Sequence, residues 1–362
     1  MTGRALLLVQ DPELRPRTLG VALVLCLSLA LVWGAMTYIL LAKYQFAIEA
    51  QRSQNSNLAK TFAEQTLRVI KSVDQATLRV RDAVAKQTLT NADLIRFTHE
   101  TGLTDAILPQ LSYVAGDGRL ISSNLDPDAK NMGYVDLSER VHIQTHLSGA
   151  QPNPTLGPQG LYIGQALVGK VSGARTIQLS RHLLMPDGSS KGVVVASLNP
   201  SYLEDNFKEV DLGSQSLIAL VGQDGFVRAS VQGGQASPIQ LAPTLWQQLL
   251  AHTTDNPGVI SKVEEDPVSG IWAAQAVKDY PIYMVVQTSV QQALVSWFAA
   301  RDVSVALTIL FSLTMLLGAV GYLRGTLKLE LSNRELEDNV RERTQLLTSA
   351  LADLKATQSQ LI

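Results

Sequence analysis

One short segment of this sequence carries several side chains that could bind a small molecule or an ion. The stretch ERVHIQTH contains Arg140, His142 and His146, and a loop rich in Pro and Gly follows it. The planar guanidinium of Arg140 can bind a carboxylate through two parallel hydrogen bonds. A lone arginine is also often half of a surface ion pair of little energetic value, and the sequence leaves both interpretations open. Arg140 is therefore a candidate ligand contact.

The two histidines raise the question of a metal. Four positions separate His142 from His146, so on a helix they share one face, as in some zinc motifs. Those motifs include a Glu next to the first His, and a zinc site needs three or four ligands. This stretch has neither that Glu nor an evident third ligand. We therefore expect no metal and no other cofactor, and we assign both histidines to a pocket lining or to the surface.

Three further residues are weaker candidates for ligand contacts. Arg181 lies in TIQLSRHL, which predicts a strand. Because side chains alternate across a strand, Arg181 either reaches into a pocket or emerges at the rim of the sheet, and the sequence does not decide between these. Tyr162 and Asp187 are candidates of the same grade, although Asp187 precedes a Gly and also fits an ordinary turn.

Composition and motifs give no support to several classes of function. The 30 basic and 32 acidic residues leave a net charge of −2, which does not suggest a nucleic-acid partner. The sequence has no Gly-x-Ser-x-Gly and no Walker motif. Its single cysteine, Cys26, rules out an intrachain disulfide and a multi-cysteine metal cluster. These features favour a binding protein over a catalyst.

Two uncharged segments predict membrane spans. Residues 18–42 and 303–323 contain no charged side chain over 25 and 21 positions, and about 20 residues suffice to cross a bilayer. The first segment is too long for a signal peptide and lacks a cleavage site. Basic residues are more numerous before the first span and after the second. The positive-inside rule therefore places 1–17 and 324–362 in the cytoplasm and 43–302 outside. In a bacterium this predicts a two-pass inner-membrane protein with a periplasmic domain.

The region between the spans changes in character along the chain. Residues 43–88 have the composition and apolar spacing of a long helix, which could be a solvated stalk or a rod packed on the sensor and on a symmetry mate. Beyond residue 105, three Asp-Gly pairs predict hairpins with type I′ turns. KGVVVASL at 191–198 predicts a central strand, and 270–290 predicts two strands joined by a turn. We expect two antiparallel sheet modules in tandem.

The order of these segments resembles the double Cache sensor region of bacterial receptors. The resemblance covers residues 44–298 and is carried by YVAGDGRLISS, SERVHIQTH, LIALVGQDGFVRAS and, most specifically, the run from Tyr162 to Leu203. It implies an α+β fold in which two PAS-like sheet modules, 89–210 and 211–298, follow the long helix. The membrane-distal module would bind a small molecule and the proximal one would relay the change. The family often has an Arg facing the ligand where Arg140 stands, but His142 and Ile143 depart from the aromatic pair that follows it.

The tail from 324 to 362 predicts a marginal coiled coil. Its a positions are Thr326, Asn333, Val340, Leu347, Leu354 and Leu361, whereas the d positions are mixed. The tail is similar to the linker before the phospho-accepting helix of sensor histidine kinases. No His follows residue 252 and no ATP-lid sequence is present. We therefore expect no catalytic domain in these 362 residues, which would be the sensor and transmembrane portion of a longer kinase or a truncation of one.

These observations predict a homodimeric transmembrane receptor of a two-component histidine kinase. A small periplasmic solute, with a carboxylate as one candidate class, would bind the distal module and shift an equilibrium between two dimer arrangements. One alternative keeps the receptor but gives it the output of a chemoreceptor or a diguanylate cyclase. Another is a membrane-anchored scaffold that binds no ligand.

Overall fold

The computed structural model describes residues 15–100, 102–127, 130, 133–147, 156–236, 240–255, 259–260 and 270–360. These residues fall into two compact units. One runs from Gln45 to Val295 and contains both sheets. The other is helical and consists of the residues up to Tyr44 and those from Ser296 onward.

Two long helices carry the apolar segments. Helix α1 runs without interruption from Arg15 to Ala85, so the segments predicted at 18–42 and 43–88 belong to a single helix. It is continuous because no Pro occurs after its second residue and no Gly after Gly34. The last long helix runs from Val295 to Gln360. Both contain a stretch long and apolar enough to cross a membrane.

Inside the helical unit, two tryptophans join these helices. The indole N–H of Trp33 donates to Ser312 Oγ at 3.2 Å, and that of Trp297 donates to the carbonyl of Leu40 at 2.9 Å. Trp297 also packs edge-to-face on Tyr44, with ring centroids 5.5 Å apart. Such amphipathic rings are typical of membrane interfaces.

The unit from Gln45 to Val295 contains two antiparallel sheets. The first consists of β1 (Gln110–Val114), β2 (Leu120–Ser123), β3 (Tyr162–Val168), β4 (Arg175–Leu184) and β5 (Ser190–Leu198), in the order β2-β1-β5-β4-β3. The second consists of β6 (Leu217–Gly222), β7 (Val227–Gln232), β8 (Gln235–Ala236), β9 (Val259–Ile260), β10 (Gly270–Ala276) and β11 (Ile282–Ser289), in the order β8-β7-β6-β11-β10-β9. The predicted α+β class is confirmed, and the 191–198 segment does form the central strand of the first sheet.

Shorter helices surround the sheets. They are α2 (Asn91–Glu100), α3 (Val141–Leu147), α4 (Pro200–Lys208), α5 (Pro243–Asp255) and α6 (Val290–Ala293), and α7 is the long helix from Val295 to Gln360. A single 3-10 turn, Pro158–Gly160, precedes β3. Helix α3 covers one face of the first sheet, where Ile143 packs against Val193 and Val195 of β5. Helix α5 covers the corresponding face of the second sheet through Trp246 and Leu249.

Helix α1 supplies the core shared by both sheets. Its buried apolar residues belong to one cluster with the inner faces of the two sheets: Ala59, Phe62, Ala63, Ile70, Val73, Ala76, Val80 and Val84. Phe62 meets Phe207 of α4 edge-to-face, with ring centroids 5.2 Å apart. The segment after the first apolar stretch is therefore a packed rod for most of its length, and burial of this apolar face fixes its position on the sheets.

The three predicted Asp-Gly hairpins form, but with a different turn. Gly118, Gly188 and Gly225 have φ values of 87°, 81° and 79°, whereas Asp117, Asp187 and Asp224 are not among the residues with positive φ. A type I′ turn needs positive φ at both central residues, so that part of the prediction was wrong. In each hairpin the Asp carboxylate instead accepts the main-chain N–H two residues later, and the Gly takes the left-handed position of a longer turn.

Candidate binding site

A small cavity lies on the face of the first sheet that points away from α1. Its volume is about 30 Å³, which leaves room for one or two water molecules. It is enclosed by strands of the sheet, by the segment leading into α3 and by the β3–β4 hairpin. The lining residues are Gln110, Ser112, Leu137, Arg140, His142, Leu167, Gly169, Lys170, Val171, Gln178, Val195 and Ser197.

The floor of the cavity is a row of hydrogen-bonded polar side chains. The Gln110 amide donates to Ser112 Oγ at 2.7 Å, and Ser197 Oγ donates to the Gln178 amide oxygen at 3.0 Å. Gln178 in turn donates to Thr176 Oγ1 at 2.7 Å. Strand alternation brings them together, because Gln110 and Gln178 both pair with Ser197 across the central strand. Buried amides and hydroxyls in a row can present donors and acceptors to a ligand.

Two cationic side chains stand at the rim. Arg140 Nη2 approaches the carbonyl of Val168 at 3.5 Å, at the outer end of hydrogen-bonding range. Lys170 Nζ donates to the carbonyl of Asp136 at 2.7 Å. Each contact joins the β3–β4 hairpin to the segment before α3 across the rim. These two contacts to main-chain carbonyls hold the opposite edges of the cavity close together, which keeps it narrow.

Two buried histidines occupy the α3 side. Ser180 Oγ donates to the carbonyl of His142 at 2.8 Å and lies 3.0 Å from His146 Nε2. Since the hydroxyl proton is used on the carbonyl, His146 carries its proton on Nε2 and donates to Ser180. His142 is 5% exposed, and its Nδ1 has no hydrogen-bond partner.

Both imidazoles are neutral at pH 7. Burial, with a smaller effect from the positive charge of Arg140, lowers the pKa of His142 to about 4. Burial and the neighbouring His182, whose ring centroid is 6.1 Å away, lower the pKa of His146 to about 4. Desolvation is the main cause in each case because it penalises the charged imidazolium. The described ranges contain no group of three or more His, Cys, Asp or Glu side chains that could hold a metal ion.

The structure brings three of the six candidate residues to one place. Arg140 and His142 line the cavity, and His146 sits directly behind them. Tyr162 is half-buried and lies instead beside Asp224 and Arg228. Its burial is the main cause of the raised pKa of its hydroxyl, and these two charges have smaller, opposite effects.

Asp187 is an exposed turn residue, not part of the cavity lining. Its carboxylate accepts the main-chain N–H of Ser189 at 2.9 Å, and hydrogen bonds from Ser189 lower its pKa. Asp187 therefore helps to close the β4–β5 hairpin, in agreement with the alternative that its position before a Gly suggested, an ordinary turn residue.

Arg181 points to the opposite face of the sheet and is 1% exposed. Its guanidinium forms an ion pair with Asp74 of α1 and donates to Thr77 Oγ1 at 3.3 Å. It also donates to the carbonyls of Pro158 and Gln159 in the 3-10 turn. These bonds satisfy a buried charge, as burial of an arginine requires. Arg181 therefore joins β4, α1 and the 3-10 turn, and it does not face the cavity.

This ion pair also reaches the second sheet. The hydroxyl of Tyr280, in the turn between β10 and β11, donates to Asp74 Oδ2 at 3.1 Å. A second buried arginine crosses in the other direction: Arg228 of β7 donates to the carbonyl of Ile163 in β3 at 3.2 Å. The two sheets are thus tied to each other by charge-assisted hydrogen bonds as well as by the shared helix.

Several residues that line the cavity were not predicted from the sequence. Gln110, Ser112, Lys170, Gln178 and Ser197 were not proposed as site residues. One signal was available: Thr176, Gln178, Ser180 and His182 alternate as the polar side of a strand whose other side is mostly apolar. A polar face on an almost wholly buried strand indicates a lined cavity.

Comparison with solved structures shows which fold the chain shares. The extracellular domain assigned to the histidine kinase rpHK1S-Z16 superposes with a TM-score of 0.56 at 21% identity, and the match covers 70% of this chain and 100% of that domain. This match shows that the chain shares the fold of that extracellular domain. The ligand-binding domains of chemoreceptor CtaA from Pseudomonas fluorescens, solved with L-isoleucine, and of PctC from Pseudomonas aeruginosa PAO1, solved with GABA, are more distant. Their TM-scores are 0.47 and 0.46, at 16% and 14% identity, and they cover 68% and 66% of this chain and 95% and 100% of their own.

Sequence comparisons add nothing to this. Neither a protein-family model nor a curated protein sequence matches the chain. The resemblance to extracytoplasmic sensor regions is thus confirmed at the level of fold, and its double Cache subtype stays a prediction.

Proposed function

We propose that this protein is a transmembrane receptor that binds a small solute in the cavity of the first sheet. The observation that carries the proposal is the cavity itself: a buried polar floor and two rim cations within a fold shared with the extracellular domain assigned to a histidine kinase. A scaffold that binds no ligand would have no need for a polar face on a buried strand, because burying polar groups costs free energy. Arg140 and His142 would contact the solute, with His146 holding His142 and Ser180 in place.

The placement of the apolar helices supports a receptor that crosses the membrane. Segments 18–42 and 303–323 would span a bacterial inner membrane, with both termini in the cytoplasm and 43–302 in the periplasm. The module at 89–210 would bind the solute, and the module at 211–298 would relay the change to α7. Residues 324–362 would pair with a second copy as a coiled coil. The similarity of this tail to kinase linkers favours a histidine kinase as the output.

Ligand binding is testable on the full chain in detergent. A thermal-unfolding screen against small metabolites should give at least one compound that raises the melting temperature, since a ligand that binds only the folded state stabilises it by mass action. Arg140→Gln should reduce that shift strongly. Arg119→Gln is the matched control, because Arg119 is an exposed arginine of the β1–β2 hairpin in the same module. Silence across all classes of solute would refute the receptor proposal.

Topology is a separate test. Protease added to spheroplasts should cut within 43–302 and leave the segment after 324 intact. The reverse pattern would refute the assignment of the sheets to the periplasm.

A further inference from the structure

The charged side chains that line the cavity in the described part of the chain are both cationic. Among its described lining residues, Arg140 and Lys170 are cationic, the other polar groups are neutral amides, hydroxyls and the uncharged imidazole of His142, and none is Asp or Glu. We propose that the cavity binds a small anion that carries no ammonium group, with Arg140 and Lys170 as its counter-charges. This inference depends on the proposed receptor function and specifies the chemistry of its ligand.

Both cations are available to such a ligand. No acidic side chain in the described part of the chain forms an ion pair with Arg140 or Lys170; each one bonds a main-chain carbonyl across the rim. The nearby Asp136 carboxylate accepts the main-chain N–H of Ser138 at 2.8 Å, and that bond is the largest cause of its lowered pKa, while the charge of Lys170 has a smaller effect in the same direction. An anion can displace a carbonyl from Lys or Arg because a charged acceptor forms the stronger hydrogen bond.

The third observation is the unpartnered atom of His142. The side chain is buried and lines the cavity, and its Nδ1 meets no hydrogen-bonding group. Buried polar atoms in folded proteins nearly always have a partner. Nδ1 itself is not open to the cavity in this structure, so a ligand oxygen would become its partner only when the rim contacts separate.

The same lining residues would weaken the binding of an ammonium group. Among the described lining residues a buried cation would find no carboxylate to replace its hydration, and it would be repelled by Arg140 and Lys170. An amino acid would therefore bind more weakly than the same molecule lacking its amino group. The small volume adds a second requirement: the Arg140–Val168 and Lys170–Asp136 contacts must separate to admit any solute larger than water.

Matched ligand pairs provide the test. The full chain in detergent is titrated by calorimetry and thermal unfolding with succinate and aspartate, and with propionate and alanine, which differ only in the amino group. Inorganic phosphate and sulfate distinguish an inorganic from an organic anion, and putrescine is the cationic probe. We expect at least one ammonium-free anion to bind, and to bind at least about tenfold more tightly than its amino-acid counterpart.

Two variants connect binding to the rim. Lys170→Gln and Arg140→Gln should each weaken the anion that binds by roughly 10- to 100-fold, the range expected for a lost hydrogen bond to a charged group. Lys191→Gln, an exposed lysine at the start of β5, is the matched control and should leave affinity unchanged. Melting curves of the variants without ligand show whether each variant folds. If Arg140→Gln does not fold, Lys170→Gln still tests the proposal, because Lys170 is exposed and its replacement should not disturb folding.

Several results would overturn the inference. If aspartate or alanine binds as tightly as its ammonium-free partner, or if putrescine binds, the charge argument is wrong while the receptor proposal stands. If an anion binds equally well to Lys170→Gln and Arg140→Gln, it binds elsewhere and the assignment of the site is wrong. If every probe and every compound of the wider metabolite screen is silent, the inference and the receptor function fail together.

Discussion

Removal of the Arg181 side-chain charge should be among the most damaging single changes in the sheet-bearing unit. In Arg181→Met, the Asp74 carboxylate loses its cationic partner at a residue that is 5% exposed, and the hydroxyls of Thr77 and Tyr280 are its remaining side-chain partners among the described residues. Breaking a buried ion pair from one side typically costs about 3–5 kcal/mol. A domain has only about 5–15 kcal/mol of unfolding free energy in total, so this variant should lie close to the folding threshold.

The size of the effect depends on the charge left behind. Replacing both partners, as in Asp74→Leu combined with Arg181→Met, removes the stranded carboxylate and should restore part of the loss, because apolar substitutes for buried pairs are often nearly neutral. Lys208→Met is the control. Lys208 forms an exposed pair with Asp205 at 2.9 Å, and such pairs contribute about 0–1 kcal/mol.

Urea unfolding of residues 45–295 measures these three variants and the single variant Asp74→Leu, which completes the cycle. Trp246 and Trp272 are the tryptophans of this fragment, and their fluorescence can be compared with circular dichroism to check two-state behaviour. The coupling energy follows from the double-mutant cycle at constant m-value. The reasoning is refuted if Arg181→Met costs no more than Lys208→Met, or if the double variant loses as much as the two single variants added together.

Three further predictions concern stability. The pKa values of His142 and His146 in the folded state lie near 4, below the unfolded value of 6.5, so between these pH values protons bind mainly to the unfolded state. The unfolding free energy should therefore fall from pH 6.5 to pH 4 by about 3 kcal/mol for each histidine. Urea unfolding of His142→Gln at a series of pH values should show a shallower fall, and an unchanged dependence of the unfolding free energy on pH contradicts this. Asn55→Leu should lower the unfolding free energy by about 1–3 kcal/mol in the same assay, because the buried Asn55 amide donates to the carbonyl of Ile271 at 2.8 Å. A loss below about 0.5 kcal/mol, which is the usual range for surface substitutions, would argue against that hydrogen bond. Gly192→Ala should prevent cooperative thermal unfolding, because its φ is 119° and a Cβ there would lie 2.0 Å from a main-chain oxygen of β1; a variant that melts like the parent contradicts the β1–β5 pairing.

The strands and their partners could be predicted to different degrees. Asp-Gly pairs and short apolar runs indicated hairpins because their signals are local in sequence. The turn type was not determined, since Asp117 and Asp224 tolerate either turn and the longer one depends on a bulge in the ladder. Helix α1 was predicted as two segments because hydropathy changes near residue 43, but a change in side-chain hydropathy does not interrupt main-chain helical hydrogen bonding.

The site residues, like the strands, could be predicted only where the signal is local in sequence. Alternation on β4 separated Gln178 and Ser180 from Arg181, but nothing local in the sequence shows which face meets α1. The deciding partner of Arg181 is Asp74, which lies 107 positions earlier. Lys170 was missed for a similar reason: its cavity position follows from the folding of the β3–β4 hairpin toward Asp136, which is a long-range contact.

Because β4 serves both the cavity and the buried ion pair, the two cannot move independently. Gln178 lines the cavity and Ser180 lies on the same face of β4 against α3, while the intervening Leu179 and the next residue, Arg181, face α1. Side chains on the two faces of one strand share a rigid pleated backbone, so a shift of β4 that widens the cavity also displaces the Arg181 guanidinium from Asp74. Coupling free energy is reciprocal. A solute that binds the cavity by moving β4 should therefore change the Asp74–Arg181 coupling energy, and Arg181→Met should change solute affinity although Arg181 touches no solute.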